Sequence, residues 1–165
     1  MTILLQNVKL NNCQTDILIE NNIFKNIAPN QPTTADTIIN CSNFAILPAF
    51  YNTHSHAPMS IFRGISDDKN LFDWLNNDIW PREAKLTPEI IYTATKFSIL
   101  EMIKTGTVFF SDMYFCSEAI MQAVNDMGIR AALSYCCCDL FDKQKLKTEI
   151  GKTNKFLSTP NPAPN

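Results

Sequence analysis

The only two histidines of this 165-residue chain stand two positions apart, as His54 and His56. On a β-strand, residues i and i+2 project from one face, about 6.6–6.8 Å apart along the axis, so two such imidazoles can converge on one ion. On a helix the same spacing would turn them away from each other. Neutral imidazole suits zinc, iron and nickel alike, which makes the pair a candidate metal site. The alternative is a pair of turn histidines on a surface loop. Position favours ligation. The pair closes a nearly continuous apolar run, Phe44-Ala45-Ile46-Leu47 and Phe50-Tyr51 around Pro48, that reads as a strand covered on both faces. In parallel α/β folds, functional side chains sit at the C-terminal ends of such strands.

Other chemistry-bearing residues follow the pair. Glu83, just after Pro81 and before a helix, reads by residue type as a solvated loop carboxylate. Trp74 and Trp80 could wall a flat ring or simply pack the core. Asp112 is expected to make structural hydrogen bonds near a strand end, and Arg63 to buttress a loop. Six cysteines (13, 41, 116, 136, 137 and 138) include no CxxC pair, which argues against a zinc ribbon. They are expected as reduced, buried thiols, with 136–138 alternating along a strand.

These residues need elements to position them. Residues 1–43 read as short strands, with a hairpin in which 15–20 and 23–27 flank Asn21-Asn22, because Asn tolerates positive φ. The texture changes at Phe44. Thr87-Pro88-Glu89 starts a helix with an N-cap hydroxyl, a first-turn proline and an early carboxylate. Ile90, Ala94, Phe97, Leu100 and Ile103 then recur at helical spacing up to the stop at Gly106. A strand over 107–113 follows. A second helix from Ser117 carries Ile120, Ala123, Val124 and Met127 on one face, and a strand-like run covers 129–138. Strand, helix, strand, helix, strand predicts a parallel α/β sheet. An amphipathic helix over 145–157 and a proline-rich end complete the chain.

Composition bounds the function. With 14 Lys+Arg against 16 Asp+Glu the formal charge is −2, and no cluster of basic residues suits phosphate, so a nucleic-acid surface is excluded. No apolar stretch approaches the roughly 18 residues of a spanning helix, and the start lacks the basic region of a signal peptide. A cytoplasmic protein with no membrane partner is expected.

Leu47-Pro48-Ala49-Phe50-Tyr51-Asn52-Thr53-His54-Ser55-His56 resembles the first barrel strand of the amidohydrolase superfamily, usually Pro-Gly, two apolar residues, Asn or Asp, then His-x-His. Ala57-Pro58-Met59, Arg63-Gly64, Asp73-Trp74-Leu75, Ile79-Trp80-Pro81 and Glu83-Ala84-Lys85-Leu86 extend the match. So do Glu101-Met102-Ile103-Lys104-Thr105-Gly106-Thr107 and Asp112-Met113-Tyr114. Together they resemble the branch of methylthioadenosine/S-adenosylhomocysteine deaminases and atrazine chlorohydrolase-like enzymes. The resemblance implies an α/β fold, a partial (β/α)8 TIM barrel with its first three strands in residues 44–165. The N-terminal part of a small β-sandwich, residues 1–43, would precede it. It further implies a divalent metal, zinc first and iron or nickel as alternatives, held by His54 and His56 with a later His and a late Asp. A water activated by that metal would attack the ring carbon bearing the leaving amine, and a later Glu would shuttle the proton. Glu83 matches the residue that binds substrate ribose hydroxyls.

The chain departs from the pattern at Ala49, where Gly is usual, and at Tyr51, where Val or Ile is common. It also has no Arg over 134–139, where the adenosine-type enzymes have one for substrate. The substrate stays open among adenosine derivatives, guanine, cytosine and chlorinated triazines, and the oligomeric state stays open too. A full barrel takes about 250 residues, and no histidine follows residue 56. The expectation is therefore the N-terminal portion of a deaminase-type hydrolase, inactive by itself, with its catalytic residues proper in a later part. The alternative is a non-catalytic truncated remnant with at most weak metal binding.

Overall fold

The structure is a computed structural model and describes residues 1–139 and 141–160. It divides into two compact units, Met1–Pro48 and Ala49–Asn165. Among the described residues no helix is long and apolar enough to cross a membrane.

The first unit is a four-stranded sheet in the order β3-β2-β1-β4, built from β1 (Thr2–Leu10), β2 (Cys13–Glu20), β3 (Ile23–Ala28) and β4 (Thr37–Asn40). The two antiparallel hairpins both turn on Asn-Asn pairs with positive φ, Asn11-Asn12 (49° and 64°) and Asn21-Asn22 (50° and 64°). Turns of this hand match the twist of the flanking strands. β4 returns parallel to β1. A bulge in β1 between Leu5 and Val8 would strand the Asn7 amide. The buried Asp16 satisfies it at 2.8 Å and takes the Gln31 amide at 3.0 Å on its other oxygen. Val8, Ile17 and Cys41 form the small core, with Leu5, Ile19 and Ile46 against it.

The second unit is a mixed α/β arrangement around a parallel sheet ordered β5-β6-β7: β5 (Phe50–Ser55), β6 (Thr107–Tyr114) and β7 (Arg130–Tyr135). Between β5 and β6 come a 3-10 turn (Ala57–Phe62), α1 (Leu71–Asp73), a wide π turn (Trp74–Ile79), α2 (Trp80–Glu83) and α3 (Pro88–Lys104). Pro81 falls in the first turn of α2, directly after the π turn, in which the Trp80 amide bonds back to the Leu75 carbonyl. α4 (Ser117–Met127) joins β6 to β7, and α5 (Lys143–Ser158) follows, capped by the Asp142 carboxylate on the Gln144 and Lys145 amides. The core lies between the sheet and α3 and α4, around Ile91, Ile99, Phe110, Tyr114, Ile120 and Ala123.

Thr87 caps α3, as its sequence predicts, and Gly106 (φ 85°) lets the chain turn into β6. Three features refine or correct the expectations. First, the helix expected from the recurrence of Ile90, Ala94, Phe97, Leu100 and Ile103 is present, but of these only Ala94 is buried, beside Ile91, Thr95, Ser98 and Ile99. The helix carries two apolar stripes, and the one that includes the smaller residues is the one buried. Second, the run 44–51 is not covered on both faces: the strand starts only at Phe50, and Phe50 and Tyr51 are 62% and 64% exposed. β5 is an edge strand among the described residues, so nothing flanks it on its far side. Third, β7 ends at Tyr135, opposite the last residue of β6, so Cys136, Cys137 and Cys138 lie past the strand. All six cysteines are unbridged, but only Cys41 is buried.

Candidate active site

The two histidines sit at the C-terminal end of β5. A register shift between Asn52 and Ser55 puts an extra residue of β5 against β6 there, and the Asn52 side chain accepts the His54 amide at 3.2 Å. His56 lies just past the strand and opens the 3-10 turn. The alternation expected of a regular strand is thus broken at this point. Even so, the rings meet edge to face, centroids 5.1 Å apart at 81°. Nδ1 of His56 is 2.7 Å from the Met113 carbonyl oxygen. A carbonyl only accepts, so Nδ1 carries the proton and the lone pair stays on Nε2. Metal-ligating histidines commonly make this kind of outer bond.

Asp112 lies beneath, 2% exposed. Its Oδ1 accepts the Ala57 amide at 2.7 Å and the Ser55 hydroxyl at 2.9 Å, and that hydroxyl also reaches the Ser111 carbonyl at 3.0 Å. Oδ2 is buried with no hydrogen-bond partner among the described residues. Burial pushes this carboxyl above its ordinary range, against the opposing pull of the Ala57 amide, the Ser55 hydroxyl and the two imidazoles.

Glu83, at the end of α2, accepts a 2.6 Å hydrogen bond from the Tyr114 hydroxyl. Trp80, Glu83, Leu86, Ile91, Phe115 and Cys116 line a cleft of about 290 Å³ beside it. The ring of Tyr114 lies 6.2 Å from that of His56, so Tyr114 stands between the carboxylate and the histidine pair. Burial first, then the Glu83 bond, raises the Tyr114 phenol well above its ordinary range. Trp80 borders the cleft and Trp74 does not. Arg63 is committed elsewhere, in a bidentate pair with Glu101 (2.9 and 2.7 Å).

The structure therefore brings His54 and His56 together directly and links Glu83 to them through Tyr114. In the sequence, Ser55, Met113 and Tyr114 stand only as members of the matched segments, with no site role of their own. The alternation of Phe110, Asp112 and Tyr114 on the helix-facing side of β6 was the available signal for the tyrosine. Two imidazoles, one with its tautomer set, suit a divalent ion. Among the described residues no group of three His, Cys, Asp or Glu could hold one, so the donor set is partial.

The chain belongs to the amidohydrolase family, whose sequence model matches residues 45–160. The 5'-deoxyadenosine deaminase of Methanocaldococcus jannaschii is 44% identical over 158 residues, covering 94% of this chain and 38% of that protein. The 5-methylthioadenosine/S-adenosylhomocysteine deaminase of Thermococcus onnurineus is 41% identical over 144 residues, covering 87% of this chain and 34% of that protein. An adenosine deaminase structure from Xanthomonas campestris with bound zinc shares the fold at a TM-score of 0.71 and 20% identity, covering 96% of this chain and 40% of that one. This chain thus spans well under half the length of the relatives it matches.

Proposed function

We propose that these residues form the first part of a metal-dependent hydrolase of carbon–nitrogen bonds other than peptide bonds, one that deaminates an adenosine-type heterocycle. In this reading residues 1–43 belong to a small β-sandwich, and residues 44–165 supply the first three strands of a (β/α)8 barrel in a cytoplasmic enzyme. His54 and His56 are two ligands of a divalent ion, zinc before iron or nickel, and Glu83 binds the sugar hydroxyls of the substrate. One observation carries the reading: two imidazoles meet at 5.1 Å where β5 ends, one of them with Nδ1 committed to a carbonyl and Nε2 left to ligate. The deaminases among the relatives support the reaction class.

A divalent ion there supplies a Lewis acid, which lowers the pKa of a coordinated water toward about 7. The chain's own residues bind and orient. The imidazoles fix the ion's place, the tip of β6 holds His56, and Tyr114 keeps Glu83 directed at the cleft. A catalytic zinc takes three protein ligands and a water, so the remaining ligand and the proton-transfer groups fall to the rest of the enzyme. The 165-residue polypeptide alone is expected to release no ammonia.

The test is ammonia release from adenosine, 5'-deoxyadenosine and methylthioadenosine by the polypeptide that continues this frame. Turnover with bound metal is expected, with its loss in His54→Asn and in His56→Asn. Undiminished turnover in the double variant would refute the assignment.

A further inference from the structure

We propose that Asp112 is a positioning residue, whose buried Oδ1 brackets His56 and holds its ring with Nε2 available to a metal. The inference rests on the reading of His56 as a ligand. Three consecutive residues, Ser55, His56 and Ala57, are gripped by the tip of the neighbouring strand. Oδ1 of Asp112 takes the Ser55 hydroxyl on one side of His56 and the Ala57 amide on the other, at 2.9 and 2.7 Å. The next carbonyl of β6, Met113, takes the His56 ring N–H at 2.7 Å. The three bonds are geometrically linked. The Asp112 side chain bonds the residues on both sides of His56, while the Ser55 hydroxyl also reaches the Ser111 carbonyl at 3.0 Å.

The surroundings favour this role over a merely structural one. The pairing of β5 with β6 is irregular between Asn52 and Ser55 and its last pair is Ser55 with Asp112, so His56 itself has no ladder partner to direct it. Something else must set it. The carboxylate is 2% exposed, and its second oxygen is buried without a partner among the described residues. Such a group is costly to bury, and a hydroxyl or an apolar residue there would avoid the cost. Its compensation is an acceptor that reaches both flanks of His56 at once. From the other side, the Ser98 hydroxyl of α3 holds the Ala57 carbonyl at 2.6 Å. This bond steadies the same turn without touching the side on which the ring bonds, which makes Ser98 a matched control.

The experiment titrates the 165-residue protein, labelled with 15N-histidine, with zinc alone and reads the long-range 1H–15N spectrum of the imidazoles. The wild-type protein is expected to show His56 as the Nδ1–H tautomer and to bind zinc through Nε2. Asp112→Ala is expected to give a mixture of His56 tautomers and about tenfold weaker zinc binding, the scale typical of lost outer-sphere support. Ser98→Ala should lose stability yet keep the wild-type tautomer. If Asp112→Ala does not fold, Ser55→Ala removes one of the two bonds to Oδ1; a mixed tautomer and at least threefold weaker zinc binding are then expected. A wild-type tautomer and affinity in the folded Asp112 or Ser55 variant would overturn the proposal. Zinc binding unchanged in His56→Gln would instead overturn the ligand reading beneath it.

Discussion

Tyr114 offers the sharpest quantitative test of how the cleft is built. Its hydroxyl donates to Glu83 at 2.6 Å, and the tyrosine is only 4% exposed. A hydrogen bond to a charged partner is worth about 1.5–3 kcal/mol when its surroundings exclude water. Glu83 is only half-buried, so water replaces part of what the bond supplies, and a coupling of about 1–2 kcal/mol is expected. Tyr114→Phe keeps the ring in its place against Phe115 and His56 and removes only the hydroxyl. The assay is a double-mutant cycle of Tyr114→Phe and Glu83→Ala by urea unfolding at neutral pH. Additivity of the two losses within about 0.3–0.5 kcal/mol would refute the coupling. Alkali gives an independent reading. The folded phenol ionises above its unfolded value near 10, so the folded state holds its proton longer. Its contribution to stability is full below that value and is lost as pH rises above it. Tyr114→Phe should therefore flatten the alkaline loss of stability, and a slope unchanged from wild type would count against the buried phenol.

Phe110, fully buried at the centre of the second unit, should cost about 3–5 kcal/mol on truncation to alanine, read as a lower urea midpoint; a loss under about 1 kcal/mol would show that the sheet and helices are not packed through it. Asp78 is held by Lys69 at 2.5 Å and by Ser66 at 2.7 Å, and these bonds keep its carboxyl below the ordinary range. Stability from that group is present above the unfolded value near 3.9 and is lost as pH falls through the lower folded one. Asp78→Asn should flatten the acid limb of unfolding followed by circular dichroism, and an unaltered acid limb would exclude the pairing.

The fold was legible wherever a local rule has one solution. Asn21-Asn22 between two β-rich runs, Thr87-Pro88 at a helix start, and Gly106 at a helix end each act through φ or a missing N–H, and each is found as expected. Where a segment's neighbours decide, the sequence misleads. Ile90, Phe97, Leu100 and Ile103 have helical spacing as good as that of the buried stripe of α3. Only the shape of the sheet tells the two apart. Likewise Cys136, Cys137 and Cys138 read as strand until one sees that β6 has no residue left to pair with them.

The site divides along the same line. His54 and His56 were legible because side-chain type and spacing suffice to nominate a metal pair, and the structure brings their rings together even though β5 is irregular between Asn52 and Ser55. What was not legible is what orients them, since a carbonyl such as that of Met113 has no side-chain signature and 57 residues separate it from His56. Tyr114 shows the intermediate case. Strand alternation places it with Phe110 and Asp112 on the buried side of β6, and a buried phenol must find an acceptor. That acceptor lies 31 residues earlier in α2, so the tyrosine could be nominated from sequence but its partner could not. Ligand candidates are written in residue types, whereas the bonds that aim them arise from the pairing of β5 with β6 and exist only once that pairing forms.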